Sequence, residues 1–160
     1  MNSHDSLNMQ LIPKIENGMV IDHIPTGFGV KILQIALRHS ELSKIVITLG
    51  MHYTSKRLGK KDLLKFQITE LPPRFLKHLS IVCPGVTVKR IKNYSVEKKI
   101  VLEVPELVDR LLKCPNPSCI TNFERGVTTC FHLLERDPLI YRCNHCERHF
   151  SLSELEAVLA

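Results

Sequence analysis

The sequence is short of the features that usually announce a function. It has no tryptophan and only seven glycines. No apolar run approaches the ~18 residues of a membrane span; the longest, IVITLGM at 45–51, contains a threonine and a glycine. There is no G-x-x-x-x-G-K-[ST] loop, no G-x-G-x-x-G after a strand, and no nucleophile beside a plausible base. P-loop phosphate binding, dinucleotide chemistry and nucleophilic catalysis are thereby set aside. The leader MNSHDSLNMQ has neither a basic segment nor an apolar stretch, so no signal peptide is expected and the chain is predicted to be cytoplasmic, with no membrane partner. No internal repeat or low-complexity segment is present.

What is there is charge, unevenly placed. The net charge is +6 over 160 residues. Residues 1–105 carry sixteen Lys/Arg against eight Asp/Glu, whereas residues 106–160 carry six against eight. Six cysteines in a chain with no export signal point to metal binding sooner than to disulfides. Hydrophobic content of 44% suits a real core, but a piece of ~50–60 residues buries little and needs a staple. Two domains are expected, divided near residue 105.

In the first, MVIDHI (19–24) reads as a strand and FGVKILQIALRH (28–39) as an amphipathic helix. KIVITLGMHY (44–53) and DLLKFQIT (62–69) read as strands. Pro72-Pro73 opens a second helix over RFLKHLSIV, and VTVKRIKNYSV (86–96) reads as a last strand. Strand, helix, strand, strand, helix, strand is the split β-α-β order of a ferredoxin-like α/β sandwich, with two helices on one face of the sheet. The chain is therefore α+β. In the second domain a short helix is expected over ELVDRLLK after Pro105, then strands over 126–135 and 139–143. Ser151 with Glu154 three residues on predicts a capping box and a final helical turn.

CPNPSC (114–119) and CNHC (143–146) are two thiol knuckles, one wide and stiffened by prolines, one of the usual width. Zinc takes four soft ligands at tetrahedral corners, about 2.3 Å from each sulfur. Cys114, Cys119, Cys143 and Cys146 are thus expected to hold one structural Zn2+ in a small zinc-ribbon-like β domain. Four thiolates leave no open corner for water, and no H-x-E motif accompanies a P-C-x-x-C, which argues against a zinc hydrolase or deaminase. His145 and His149 are read as surface residues, Cys83 and Cys130 as ordinary buried thiols. A zinc-ribbon nucleic-acid-binding protein is the natural alternative. Such a ribbon needs a basic face with exposed aromatics; this half is net acidic, and Phe123, Phe131, Tyr141 and Phe150 are about what its core requires. No nucleic acid is therefore expected, and a protein-docking role takes its place.

VIDHIP, GKKDLLK and RIKNY, followed by C-x4-C and C-x2-C in that order, resemble the regulatory chain of aspartate carbamoyltransferase over about residues 12–150. The resemblance implies a subunit without catalysis of its own in pyrimidine nucleotide biosynthesis. It implies an allosteric domain over 1–105 that binds ATP, CTP and UTP. A zinc domain over 106–160 would dock on the catalytic chain, and homodimers of the chain would bridge catalytic trimers. Residue by residue, it places Asp22 and His23 against ribose and phosphates, Lys65 near base and ribose with Lys61 beside it, and Lys99 on the triphosphate. Ile15, Val20, Ile91, Tyr94 and Val96 would line the base pocket. Lys89 stands where the family leads one to expect asparagine and adds a charge near the phosphates. Ile12-Pro13 removes a backbone donor beside the base, and SELEAVLA is more helical than the family pattern.

Overall fold

A computed structural model describes residues 12–157; the polar leader MNSHDSLNMQ and the last three residues of SELEAVLA lie outside the described residues. The N-terminal part runs β1 (Gly18–Pro25), α1 (Phe28–Leu37), β2 (Ile47–Ser55), β3 (Gly59–Phe66), α2 (Pro73–Val82), β4 (Thr87–Lys92) and β5 (Ser95–Val101). Its sheet has the order β2-β3-β1-β4-β5, with every neighbouring pair antiparallel. The first four strands are the ferredoxin-like arrangement, and β5 is an added edge.

Alternation along β1 and β3 sets the two faces. Met19, Ile21, Leu64, Phe66 and Val88 pack with Ile32, Ile35, Phe75 and Leu79 of the helices in one apolar cluster. The intervening residues, Val20, Asp22, Lys65 and Lys89, turn to the face the helices leave open.

β3 is flanked by two bulges. Register shifts occur between Ile21 and Ile24 on β1 and between Gly50 and Tyr53 on β2. The bulged residues His23 and His52 have φ of 59° and 62°, a left-handed backbone uncommon outside glycine. Asp62, fully buried, sits between the bulges. It accepts the amides of Gly27 (3.0 Å) and Gly29 (3.2 Å) at the start of α1 and of His52 (3.0 Å). One carboxylate thus caps a helix that lacks a side-chain N-cap and fixes a bulge.

Three expectations change. The segment 86–96 is not one strand: Asn93 and Tyr94 have φ of 49° and 61° and reverse the chain between β4 and β5. Positive φ at both central residues is the hairpin turn that matches strand twist, and the absence of glycine there hid it. Residues 106–113 form no helix. They give β6 (Leu107–Asp109), a break at Arg110 with φ 57°, and β7 (Leu112–Lys113). An isolated eight-residue helix is marginal in water, whereas β6 gains pairing with β8 (Cys130–Arg136). The strand expected from 126 accordingly starts at Cys130.

The C-terminal part is a small β domain: one sheet of order β10-β9-β8-β6, with β9 Leu139–Cys143 and β10 His149–Ser151, and a two-stranded ribbon of β7 with β11 (Glu156–Ala157). The Ser151–Glu154 capping box forms, Ser151 N–H donating to Glu154 Oε2 at 2.7 Å. It opens only a 3-10 turn before the chain extends into β11. Val108, Leu111, Leu112, Phe131, Tyr141, Phe150 and Leu155 make a second core, into which Ile81 of α2 also packs. Arg74 and Lys77, on the same side of α2, reach the Arg110 carbonyl and the Asp109 carboxylate.

Candidate metal centre and anion-binding face

The four expected thiols converge. The Sγ atoms of Cys114, Cys119, Cys143 and Cys146 all lie within 4.8 Å of one another, with Cys114–Cys146 at 3.7 Å and Cys119–Cys143 at 3.9 Å. Sulfurs about 2.3 Å from a tetrahedral ion are separated by about 3.8 Å, whereas a disulfide closes to about 2.05 Å. The donor set therefore fits a four-thiolate metal ion and no bridge.

Burial pushes the Cys114 and Cys143 thiols up. At Cys146 burial is outweighed by hydrogen bonds from Asn116, Arg148, Cys143 and Cys114, which bring it down to about 7. Packing four sulfurs this closely is costly without a central cation, and a cation reverses that balance. The backbone N–H groups of Asn116, His145, Cys146 and Arg148 act against burial, each lowering the thiol it faces. Thr121 Oγ1 donates to Cys119 Sγ at 3.2 Å.

Asn116, buried between the two prolines, builds the wide knuckle. Its side-chain oxygen accepts Ser118 N–H (3.1 Å), and its carbonyl accepts Cys119 N–H (3.0 Å) and Asn122 Nδ2 (2.8 Å). The prolines stiffen the loop, but Asn116, an Asx-turn former, sets its shape. His145 is engaged elsewhere, its Nε2 lying 2.9 Å from the Thr128 carbonyl, and His149 is exposed.

On the open face of the N-terminal sheet, strand register collects the lysines. Lys65 pairs with Val20, Val20 with Lys89, and Lys89 with Lys99. These four residues form one row across β3, β1, β4 and β5, and Thr48 of β2 continues it beyond Lys65. Two residues along β1, Asp22 is buried beneath two ammonium groups: Lys61 Nζ lies 2.6 Å from Oδ1 and Lys89 Nζ 2.6 Å from Oδ2. Burial alone would raise the Asp22 carboxyl, but hydrogen bonds from Lys61, Lys89 and the His23 amide (2.7 Å) hold it far below the usual carboxylate range. His23 Nδ1 is 3.6 Å from Asp22 Oδ2 and has no hydrogen-bond partner. Burial lowers its pKa, Asp22 opposes that, and Lys61, Lys89 and Arg57 add to it.

The other end of the face is a cleft of about 510 Å³ between the segment Ile12–Asn17 and the strands, with Ile15, Thr48, Lys65 and Thr69 in its walls. Three contacts hold the segment in place. Lys65 Nζ donates to the Pro13 carbonyl, Tyr94 N–H to the Glu16 carbonyl (3.0 Å), and Asn93 N–H to Asn17 Oδ1 (3.1 Å). Burial lowers the Lys65 pKa. At Gly18 any Cβ would overlap the Phe66 carbonyl oxygen and the Ile15 side chain, so only glycine lets the segment turn this tightly into β1. Ile91 pairs with Gly18 and Val96 with Ile91, which puts both, with Tyr94, at the cleft end. Tyr94 and Val96 are exposed.

The site residues expected from sequence thus fall into two groups on one surface. Asp22, His23, Lys61 and Lys89 form a charged end; Ile15 and Lys65 line the cleft, and Ile91, Tyr94 and Val96 stand on β4, the turn and β5 next to it without being among its walls. Val20 and Lys99 complete the row that joins them. Thr48 and Asp62 were missed. Asp62 had a signal: it is an acidic residue in the buried phase of Asp62-x-Leu64-x-Phe66, which calls for backbone amides as partners.

Family models match both parts of the chain. "Aspartate carbamoyltransferase regulatory chain, allosteric domain" covers residues 10–103, and "Aspartate carbamoyltransferase regulatory chain, metal binding domain" covers 106–156. Curated relatives with the name aspartate carbamoyltransferase regulatory chain include one from Pyrococcus horikoshii, 42% identical over 92% of this chain and 97% of its own length. Another, from Thermoplasma acidophilum, is 35% identical over 86% and 90%. A third, from Methanothermobacter thermautotrophicus, is 33% identical over 91% and 92%.

Proposed function

Because the chain belongs to the family of aspartate carbamoyltransferase regulatory chains, we propose that it senses nucleoside triphosphates on its open sheet face and carries the signal to a catalytic chain. The regulatory chain does no catalysis itself. In this reading it divides near residue 105 into an allosteric domain and a docking domain. The docking domain holds one structural Zn2+ on Cys114, Cys119, Cys143 and Cys146. Homodimers of the chain bridge catalytic trimers in the cytoplasm.

The observation that carries the reading is the register-aligned row Lys65–Val20–Lys89–Lys99, with Asp22 pinning Lys61 and Lys89 beside it. Charge-assisted hydrogen bonds from lysines can hold a triphosphate without a P-loop, and the cleft beyond Lys65 has room for a base. ATP, CTP and UTP share the phosphates, so the row would serve all three. Discrimination then falls to the cleft, where Ile15, Ile91, Tyr94 and Val96 and the backbone of 12–17 meet the ring. For zinc, the support is the soft, closed donor set, with the Thr121 hydroxyl donating to Cys119 Sγ. For docking, it is the exposure of Ile120 and Phe123 beside the wide knuckle: Phe123, expected in the core with Phe131, Tyr141 and Phe150, is instead 70% exposed, and an aromatic left so open suits an interface.

Mixing the purified chain with catalytic trimers tests this. Sedimentation should show one larger assembly, and CTP, UTP and ATP should change its carbamoyl-transfer rate at fixed substrate. Lys65→Ala and Lys99→Ala should each weaken calorimetric CTP and ATP affinity about tenfold, the loss of one charge-assisted bond. Failure to assemble, or unchanged affinity in both variants, overturns the proposal.

A further inference from the structure

We infer that the outer face of the C-terminal sheet carries an anion site of its own, in which Arg142, set between His132 and His149, takes a phosphate group. The inference is independent of the nucleotide reading above. Leu107 of β6 pairs with His132 of β8, His132 with Arg142 of β9, and Arg142 with His149 of β10. Residues paired across strands share a face, so these four form one row. Their chain neighbours Val108, Phe131, Tyr141, Cys143 and Phe150 are buried in the C-terminal core, which puts the row on the opposite side of the sheet. There His149 is exposed, and His132 and Arg142 are half-buried.

Arg142 is the unusual member. Its Nε is buried without a hydrogen-bond partner among the described residues. The acids on and beside β6 are committed, Asp109 to Lys77 and Glu106 to Arg136. Glu135 stands one row away, opposite Ile140, and is exposed. A guanidinium cannot shed its charge, and a buried donor without an acceptor costs free energy that an oxyanion would recover. The choice of anion follows from the donor count. Arginine's fork takes two oxygens of one ligand, which uses up a carboxylate. A phosphate has further oxygens for imidazole N–H groups on either side. Cross-strand neighbours stand about 5 Å apart, so both histidines can reach an anion seated on Arg142. Free phosphate and the phosphate of a small monoester share this chemistry.

Phosphate also suits the lysines of the N-terminal sheet, so the test reads the row itself. The zinc-loaded full chain, labelled with nitrogen-15, is titrated with inorganic phosphate and with phenyl phosphate at fixed pH and ionic strength. The Arg142 Nε–Hε resonance and the His132 imidazole resonances should shift and saturate together. His132→Ala and His149→Ala should each weaken the affinity read at Arg142 about fivefold, the loss of one hydrogen bond. Arg142→Gln should abolish the saturable shift at His132, with zinc content unchanged in all three variants. Tighter binding of phenyl phosphate would mark a monoester as the ligand, and equal or weaker binding would mark free phosphate; both support the site. Shifts that stay linear throughout the titration overturn the inference. So does an affinity untouched in both histidine variants, or a His132 shift that saturates equally in Arg142→Gln.

Discussion

Single residues here are decided by what lies against them. Asp22-His23 in the sequence is an acid–histidine pair near a turn and no more. In the structure it is a bulge that buries the acid under two lysines and leaves the imidazole Nδ1 without a partner. The pairing comes from β3 and β4, 39 and 67 residues away, so no local pattern could reveal it. His78 is a second case. It is 1% exposed in α2 with Nε2 unsatisfied. Burial, then His39, Arg74 and Arg38, push its pKa down from 6.5 to about 4. The folded state therefore keeps it neutral where the unfolded chain takes up a proton. Stability from this source is complete above about pH 6.5 and falls as pH drops toward 4, by on the order of 3 kcal/mol. Urea midpoints of wild type and His78→Leu between pH 7 and 4.5 should diverge, with the variant flatter; parallel curves would show that His78 does not titrate this way.

At the scale of elements, strong periodicity was readable and punctuation was not. β1, α1, β3 and α2 follow from alternation, from the spacing of Ile32, Leu33, Ala36 and Leu37, of which Leu37 turns out exposed, and from Pro72-Pro73. The β4–β5 hairpin was hidden because its turn uses Asn93-Tyr94 in place of the usual Asn-Gly. That turn is strained at Tyr94, whose φ of 61° suits glycine. Tyr94→Gly should hold or raise the unfolding midpoint, by up to about 1 kcal/mol, whereas Tyr94→Val should lower it by about 1–2 kcal/mol. Both should weaken nucleotide binding by removing the ring. A midpoint order other than Gly, Tyr, Val would remove strain as the explanation. The 106–113 segment shows the opposite failure: a helical-looking apolar spacing became two short strands because β8 and β11 offered partners.

For the whole molecule, the two cores predict two stabilities. The N-terminal cluster joins both helices to the sheet; the C-terminal cluster is small and includes three of the ligand cysteines. Structural zinc contributes on the order of 10–16 kcal/mol in small zinc modules. Chelation, or Cys114→Ala, should therefore unfold the β domain while calorimetric nucleotide binding persists, and assembly with catalytic trimers should be lost. Far-UV circular dichroism and sedimentation read both effects; a metal-stripped chain that still assembles would break the link between ion and docking.

The sequence by itself determined the order of elements from β1 to β4, the four clustered thiols and the basic half, because these rest on local periodicity, close spacing and composition. Only the tertiary structure decided that Lys65, Lys89 and Lys99 share one row, that Asp22 is clamped, and that the 12–17 segment walls a cleft. Those depend on which strands become neighbours and in what register, and cross-strand register is set by contacts between residues far apart in the chain.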